Sequence, residues 1–293
     1  MSSMKKSLNV YFLKILSFLI RSTGNQSPVL GARLLSLIWF KVSKPRANPN
    51  REAWLRACLK YEVEHRGKTL SVYSRIPASS RGIVLLLHGW SGRWDQLIAI
   101  AQTLFEAKFE VIVFDFPSHG ENVGGESDVF ELSEFLQSVF TVLKLDAPIV
   151  ICHSAAFLTV SHGMHKRNLN CSKLITINSP ARFEYLIEIF REKIGFSKSL
   201  DAELWKMVSR RVGVSDAQNE LGAAHLSTMD AQNVFVIHDR DDKEVKFSEA
   251  AIMAKLLPNS KKLVTSGLGH NRILSNQTVV EEIKSFCTGE INE

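Results

Sequence analysis

Cysteine is scarce in this chain, with four residues in 293. Cys58, Cys152, Cys171 and Cys287 lie far apart, and none belongs to a CxxC pair or to a cysteine–histidine cluster with the spacing of a zinc site. The sequence therefore implies no metal. Isolated cysteines are typical of a reduced, cytoplasmic chain with buried thiols, and we expect free thiols here.

The N-terminal region lacks an unbroken apolar run of membrane-spanning length. Residues 10–20 are apolar apart from Lys14 and Ser17, and a transmembrane helix needs about 20 apolar residues. Lys5 and Lys6 precede the run, as in an export signal, but no small-x-small cleavage site follows it. The run therefore favours neither a transmembrane helix nor an ordinary signal peptide.

Acidic residues are almost absent from the first 60 positions, which hold eleven Lys or Arg and a single acid, Glu52. The remaining residues carry 25 basic and 29 acidic side chains, so the N-terminal segment alone accounts for the net charge of +6. A general nucleic-acid-binding protein has a basic patch on its folded domain. This charge distribution argues against that class.

The N-terminal segment predicts two apolar helices that carry basic residues. The second begins at Ser27-Pro28, a capping serine followed by proline at the first helical position, and continues to Phe40. Such helices bind the membrane interface peripherally, here through residues 1–45, or pack on the domain, or form an export signal. The sequence leaves the three alternatives open. Residues 44–51, with two prolines and two asparagines, are predicted to be a linker.

From residue 58 onward the chain alternates between strand-like and helix-like segments. The strands are short, nearly continuous apolar runs, as expected for strands buried on both faces. Predicted strands are 60–65, 69–76, 83–87, 111–115, 148–152, 173–178, 233–238 and 261–266, and predicted helices are 94–107, 129–144, 155–166, 246–256 and 277–287. The alternation predicts a mostly parallel sheet with helices on both faces.

Residues 181–232 interrupt this alternation with two helical apolar stripes. Phe183 and Phe190 belong to the first stripe, and Trp205 belongs to the second. Two helices inserted between strands predict a small cap over the strand ends, with Phe183 and Phe190 lining a substrate pocket. Ordinary crossover helices are the alternative.

One serine lies where a strand gives way to a helix. Ser154 follows an apolar strand and precedes two small residues and a helix-like stretch, an arrangement that holds a nucleophile on a sharp turn. Other segments fall in the chain order that such a site needs: the His88-Gly89 turn upstream, then Asp242 and His270 downstream. Each follows a predicted strand. Four pieces in this order predict a hydrolase-type active site.

Over residues 60–288 the sequence resembles the α/β-hydrolase superfamily. The resemblance rests on HGWSG at 88–92, DFPSHG at 115–120, CHSAA at 152–156, HDRDDKEV at 238–245 and GLGH at 267–270. It implies an α/β-hydrolase fold: an eight-stranded, mostly parallel sheet, helices on both faces and a small helical cap. The active site is then expected at the carboxyl ends of the strands.

The resemblance also implies a role for each residue of a catalytic triad. Ser154 is the expected nucleophile, His270 the base that takes its proton, and Asp242 the acid that orients His270. The form H-x-x-x-D-x-x-V selects Asp242, with Asp241 as the alternative. His238, His153 and His119 compete with His270, and we expect all three to be structural.

The oxyanion hole of a hydrolase needs two N–H donors aimed at the developing negative oxygen. By resemblance these are the backbone N–H groups of Trp90 and Ala155. Trp90 is also expected to form an aromatic wall of the substrate pocket, with simple core packing as the alternative.

The nucleophile turn departs from the family pattern G-x-S-x-G. Cys152 and Ala156 occupy the two glycine positions. Alanine is a mild change, whereas cysteine is larger and favours a distorted or slow turn. We expect Cys152 to lie within the strand and to play no nucleophilic role.

These observations predict an N-terminal extension at 1–57 and a hydrolase domain at 58–293. We expect a serine hydrolase that cleaves a small-molecule carboxylic ester, with a medium-length, long or lipid-like acyl group favoured, through an acyl-enzyme on Ser154. A thioesterase or acyltransferase with the same triad, or a catalytically degenerate binding protein, is the alternative. No metal, organic cofactor or nucleic acid is implied. The predicted localisation is cytoplasmic, with peripheral contact at the inner membrane face.

Overall fold

The computed structural model describes residues 15–24, 26–215, 217, 222–226 and 229–289. The chain divides into two units. Unit 1 comprises Met1–Lys41 and Phe183–Glu220, and unit 2 comprises Val42–Arg182 and Leu221–Glu293.

Unit 2 contains one eight-stranded sheet. The strands are β1 (Leu59–His65), β2 (Lys68–Arg75), β3 (Ile83–Leu87), β4 (Glu110–Phe114), β5 (Ile149–His153), β6 (Lys173–Ile177), β7 (Val234–Asp239) and β8 (Lys261–Thr265). Their order across the sheet is β1-β2-β4-β3-β5-β6-β7-β8. β2 runs antiparallel to both of its neighbours, β1 and β4, and all the other pairs in the sheet are parallel. The eight-stranded, mostly parallel sheet predicted from the sequence is confirmed.

Helices of both units follow the predicted alternation closely. They are α1 (residues 15–24), α2 (Pro28–Trp39), α3 (Arg51–Leu55), α4 (Ile98–Glu106), α5 (Val129–Val142), α6 (Ala156–Arg167), α7 (Glu184–Ile194), α8 (Asp201–Val212), α9 (Phe247–Leu256), α10 (Gly269–Arg272) and α11 (Gln277–Thr288). None of the described helices has the length and apolar character that crossing a membrane requires.

The core of unit 2 lies against the central strands. β3 and β5 are almost wholly buried, because the crossover helices of a parallel sheet cover both of its faces. Trp94 and Leu97 pack on this core with the helices α4 and α11. This rigid layer fixes where each strand ends, and therefore where the loops that follow the strands meet.

The carboxyl ends of β5, β6 and β7 are joined by hydrogen bonds that continue the strand pairing. The N–H of Ser154 donates to the carbonyl of Ile177 at 2.9 Å, and the N–H of Asn178 donates to the carbonyl of Ile237 at 2.9 Å. Residues that follow these three strands therefore share one edge of the sheet.

Unit 1 is built from α1, α2, α7 and α8. The predicted cap of α2 is present, since the Ser27 side chain accepts from the Leu30 N–H and Pro28 follows it. Rings of Trp39 and Phe190 meet edge to face at 5.1 Å. Residues 1–14, which include part of the predicted apolar run, lie outside the described residues.

The division into units differs from the predicted bounds at 57 and 58. Of the predicted cap at about 181–232, residues 183–220 group with the N-terminal helices. The reason is local packing: Leu200 reaches the close turn between α1 and α2, and the Arg211 guanidinium lies 4.1 Å from the Phe40 ring centre. Gly222 and Ala223 pair with residues of unit 2. Placement of a cap over the strand ends stays a prediction.

Candidate active site

Ser154 occupies a strained turn between β5 and α6. Its φ is +56°, in the left-handed region that non-glycine residues avoid. Such a conformation costs about 1–3 kcal/mol and persists only where the surroundings enforce it. The Phe157 N–H donates to the Ser154 carbonyl, and the Ser154 N–H is held by β6. The turn therefore presents the serine side chain beyond the strand end.

Gly89 lets the loop after β3 approach this serine. A Cβ atom at position 89 would lie 2.8 Å from the Ser154 Cβ and 3.2 Å from the His153 carbonyl oxygen, closer than side chains tolerate. Trp90 follows directly, and Ala155 caps the N-terminus of α6. The first amides of a helix lack acceptors within it and favour negative charge. Ala155 therefore follows the serine directly, and the loop that carries Trp90 approaches it at Gly89, whereas the oxyanion role of the two N–H groups stays a prediction.

Asp242 and His270 form the predicted acid–base pair. The His270 Nδ1 lies 2.7 Å from the Asp242 Oδ2. The other carboxylate oxygen, Oδ1, accepts the N–H groups of Glu244 at 2.7 Å and Val245 at 3.0 Å. These two backbone donors fix the carboxylate, so that Oδ2 is the atom offered to the imidazole. Asp242 is therefore built to hold a proton on Nδ1.

No hydrogen bond joins Ser154 to His270 in the described part of the chain. His153, next to Ser154, donates from Nε2 to the His270 carbonyl at 3.0 Å, and the two imidazole rings lie 4.6 Å apart. Catalytic hydrogen bonds in unliganded enzymes are often long and tighten with substrate. The structure thus brings Asp242 and His270 together and places His153, the residue before Ser154, in contact with His270.

A second carboxylate approaches the free nitrogen of His270. The Glu244 Oε2 lies 3.9 Å from Nε2. The Glu244 side chain is more than half exposed, so solvent screens the interaction.

Asp239 and Asn178 support the histidine loop, and the sequence reasoning did not find this role. Asp239 accepts the N–H groups of Leu268 and Gly269, the Asp241 N–H and the Thr265 hydroxyl. Burial raises the pKa of Asp239, but the hydrogen bond from Thr265 and those from the three N–H groups outweigh burial and lower it. Asp239 is therefore an ionised carboxylate that holds the loop before His270 through hydrogen bonds to its backbone.

Asn178 joins the acid and base loops from the end of β6. Its Oδ1 accepts the Asp239 N–H at 2.8 Å, and its Nδ2 donates to the carbonyls of Gly269 at 3.1 Å and His270 at 3.3 Å. One signal could have found it: a polar residue directly after a buried strand, at the edge where Ser154 also lies.

Four buried histidines are held neutral around the site. Burial lowers the pKa of His88 to about 4 and that of His119 to about 3. It lowers the pKa of His153 well below its ordinary value, and that of His238 in the same direction. All four lie within hydrogen-bond distance of a backbone carbonyl, those of Gly89, Pro117, His270 and Val245 respectively. These contacts support the structural roles expected for His238, His153 and His119.

These histidines predict an acid-sensitive fold. Their folded pKa values lie below the unfolded value near 6.5, so the unfolded chain binds more protons below about pH 6.5. Their stabilising contribution is present above that pH and is lost as pH falls toward about 4, the pKa of His88. We expect the free energy of unfolding to fall by up to ~1.4 kcal/mol per pH unit for each histidine. Urea unfolding at several pH values between about 7 and 5 measures it.

A single substitution serves as the control for this pH dependence. His119→Asn keeps a side-chain donor but removes one titrating group, so the slope should decrease by ~1.4 kcal/mol per pH unit. A free energy of unfolding that does not change between pH 7 and 5 would contradict the assignment of neutral histidines.

Cys152 lies inside β5 and is fully buried. Burial raises its pKa well above the ordinary thiol value. A thiolate is the nucleophilic form of cysteine, so burial in this strand suppresses its reactivity. All four cysteines of the chain are free thiols.

The predicted pocket residues are distributed over both units. Trp90 lies in unit 2, where its ring meets that of His119 edge to face at 5.1 Å. Phe183 and Phe190 lie in unit 1, where they meet Trp205 and Trp39. Their pocket role stays a prediction. Among the described residues, no group of three or more His, Cys, Asp or Glu side chains is placed to hold a metal ion.

Known proteins share this architecture. The sequence profile described as "Alpha/beta hydrolase family" matches residues 84–282, about two thirds of the chain. A provisionally named lipase of Acinetobacter baumannii has a TM-score of 0.63 at 19% identity, with 82% of this chain and 94% of that chain covered. An esterase of Pyrococcus furiosus has a TM-score of 0.62 at 18% identity, with 85% and 99% covered. At these identities the likeness shows the fold.

A curated relative matches a shorter segment. It is a protein of Mycoplasma genitalium provisionally named esterase/lipase 2, 26% identical over 87 residues, which are 29% of this chain. The match spans about a third of that relative's length, 32%.

Proposed function

The chain belongs to the α/β hydrolase family, and on that basis we propose that it is a serine hydrolase that cleaves carboxylic esters through an acyl-enzyme on Ser154. One observation carries the proposal: Ser154 lies on a turn with φ of +56°, at the strand ends where the Asp242–His270 pair also lies. Strained backbone often marks a functional side chain, and a serine nucleophile needs a base that is itself oriented by a third group, as the Asp242–His270 pair provides.

The first half-reaction transfers the acyl group to the enzyme. The Ser154 Oγ attacks the ester carbonyl while the His270 Nε2 takes the hydroxyl proton, and Asp242 stabilises the imidazolium. The N–H groups of Trp90 and Ala155 hold the resulting oxyanion. When the tetrahedral intermediate collapses, its bond to the alcohol breaks and His270 returns the proton to the leaving oxygen.

Water completes the cycle in a second half-reaction, in which water is the nucleophile and the Ser154 oxygen is the leaving group. His270 takes a proton from water, the hydroxide oxygen attacks the acyl carbon, and the Ser154 oxygen leaves with that proton. The carboxylic acid departs and the free serine is restored. An alcohol in place of water makes the same machinery an acyltransferase, and a thioester in place of an ester makes it a thioesterase.

The substrate class is an ester with an apolar acyl group. The Trp90 ring, in the loop after β3, favours a medium-length, long or lipid-like acyl chain over acetate, and a part for Phe183 and Phe190 stays a prediction. Fold and triad alone do not name a substrate. The cytoplasmic localisation, with peripheral contact at the inner membrane face, stays a prediction.

Labelling with a fluorophosphonate tests the proposal directly. The serine oxygen attacks phosphorus and fluoride leaves, so only an activated hydroxyl reacts. We expect one adduct, on the peptide that contains Ser154, when the labelled protein is digested and read by mass spectrometry. Ser154→Ala should carry no adduct.

Two results of the labelling experiment would count against the proposal. A folded, monodisperse protein that takes no label would favour the degenerate binding protein. An adduct on Cys152 that is still formed in Ser154→Ala would identify Cys152, within β5, as the nucleophile.

A further inference from the structure

We propose that α1 and α2 form a docking surface for an anionic lipid bilayer. The evidence is the placement of exposed apolar side chains. Of the twelve large apolar side chains that are exposed in the described part of the chain, six lie on these two helices. They are Ile15, Phe18, Leu19, Val29, Leu30 and Leu37. The helices make up less than a tenth of the described residues, so the concentration is specific to them.

Both helices are apolar on two opposite sides. On α1, Leu16 and Ile20 are buried, whereas Phe18 and Leu19 are exposed. On α2, Ala32 and Leu35 are buried. A surface helix of a water-soluble fold is ordinarily polar on its outer side, and a helix that is apolar all round is one that is covered all round. We therefore expect the exposed side of α1 and α2 to be covered by an apolar environment.

The inner side is already filled within unit 1. A Cβ at Gly31 would lie 2.8 Å from the Gly24 Cα and 2.8 Å from the Leu200 Cδ2, so the ends of the two helices meet at backbone distance around that leucine. Trp39 meets Phe190 on α7. Because one side of the hairpin is packed, only its outer side can meet a partner, and a helix used in this way lies flat on a surface.

Charge selects an anionic bilayer as the partner. Residues 1–41, the part of unit 1 that contains both helices, carry six Lys or Arg and no Asp or Glu. Arg33 lies on the exposed stripe of α2 between Val29 and Leu37, one helical turn from each, and Arg21 lies one turn from Phe18. Apolar side chains that enter the acyl boundary beside basic groups that meet lipid phosphates are the pattern of an interfacial helix. A protein partner would need a patterned set of acids and apolar pockets, whereas a bilayer needs only this composition.

Vesicle co-sedimentation of the full-length protein tests the surface. The probes are phosphatidylcholine vesicles with and without phosphatidylglycerol. We expect binding to the anionic vesicles, weak binding to phosphatidylcholine alone, and weaker binding as salt rises from ~0.1 M to ~1 M, over which the screening length falls from ~10 Å to ~3 Å.

Two paired variants separate the apolar and the electrostatic contributions. Phe18→Ser with Leu37→Ser should lower the partition coefficient at least about tenfold, because binding scales with the apolar area buried. Arg21→Gln with Arg33→Gln should lower it about fivefold for each residue, which corresponds to ~1 kcal/mol per basic group near an anionic surface. Circular dichroism and unchanged thermal unfolding establish that the variants fold.

A matched control pair removes equally exposed apolar residues from unit 2. Leu59 and Val142 are 56% and 48% exposed, close to Phe18 at 64% and Leu37 at 49%. Leu59→Ser with Val142→Ser should leave vesicle binding unchanged. The proposal is overturned by equal loss in the control pair, by binding that ignores lipid charge, or by no binding of the wild-type protein. It is also overturned if sedimentation shows a dimer that Phe18→Ser with Leu37→Ser abolishes, since a second copy would then cover the surface.

Discussion

Replacing Ser154 by alanine should lower kcat for a nitrophenyl ester by roughly 10⁵- to 10⁶-fold, the loss expected when the nucleophile of a serine–histidine–acid unit is removed. Alanine removes one oxygen and leaves the backbone amides of Trp90 and Ala155 in place. Substrate binding should survive, so KM should change little. Residual hydrolysis above that of water would come from those amides and from binding alone.

Stability gives an independent readout of the same substitution. Ser154 carries left-handed backbone strain, with φ of +56°. Alanine meets the same backbone restriction as serine, so Ser154→Ala should unfold at nearly the wild-type temperature. Loss of activity in a protein of wild-type stability assigns the effect to chemistry.

Cys152→Ala is the matched control for Ser154→Ala. The thiol lies two residues from the serine but is buried in β5. Removing it creates at most a small cavity, costing about 1 kcal/mol of stability, and leaves the hydroxyl untouched. We expect nearly full activity. An active Ser154→Ala, or an inactive but folded Cys152→Ala, would contradict the serine mechanism.

The sheet could be predicted because each strand has a local sequence signal of its own. β3, β5 and β7 are short apolar runs bounded by loops, and the predicted ends of all eight strands lie within two residues of the observed ones. Burial on both faces removes the need for alternation, so a continuous run of valine, isoleucine and leucine is itself the signal. Parallel pairing then follows from the intervening helices.

The grouping of α1 and α2 with residues 183–220 could not be predicted in the same way. It depends on Leu200 reaching Gly24 and Gly31, and on Trp39 meeting Phe190. These contacts join residues more than 150 positions apart, and no periodicity within a single helix encodes its partner. Apolar stripes indicate that a helix is covered, but not by what.

The triad residues could be predicted from the sequence, whereas the residues that hold the triad loops in place could not. Ser154, Asp242 and His270 could be found because chain order and motif select them. Asp239 and Asn178 act through hydrogen bonds to the backbone of other loops, to the N–H of Gly269 and the carbonyl of His270. Almost any residue type can supply a backbone N–H or carbonyl, so no sequence motif identifies the hydrogen-bond partners of Asp239 and Asn178. Asp239, Asp241 and Asp242 are close in sequence, yet each carboxylate accepts from its own donors.

Asp239, Asp241 and Asp242 each hold a different part of the site. Asp239 supports the loop before His270, Asp241 accepts the Gly267 N–H at 2.7 Å, and Asp242 contacts the imidazole itself. Of these three contacts, only the last is made to the imidazole of His270. This separation makes neighbouring aspartates suitable controls for each other.

Asp242→Asn should lower kcat by about 10⁴-fold with little change in KM. The side-chain oxygen of asparagine can keep the two hydrogen bonds from the Glu244 and Val245 N–H groups, which now hold Oδ1. Its NH₂ group then faces the His270 Nδ1, where Oδ2 stood. A donor at that place forces the imidazole to carry its proton on Nε2, so His270 can no longer accept a proton from Ser154. The loss therefore comes from the wrong tautomer as well as from the missing charge.

Asp241→Asn is the matched control, because it makes the same chemical change one residue away. Asp241 is exposed and its carboxylate accepts from Gly267 rather than from His270. Its amide can still accept that bond, so kcat should fall by less than about tenfold. Steady-state kinetics of both variants on one ester decide between the two acids. A larger loss for Asp241→Asn than for Asp242→Asn would assign the acid to Asp241, and equal small losses would mean that the carboxylate near His270 does not direct its proton.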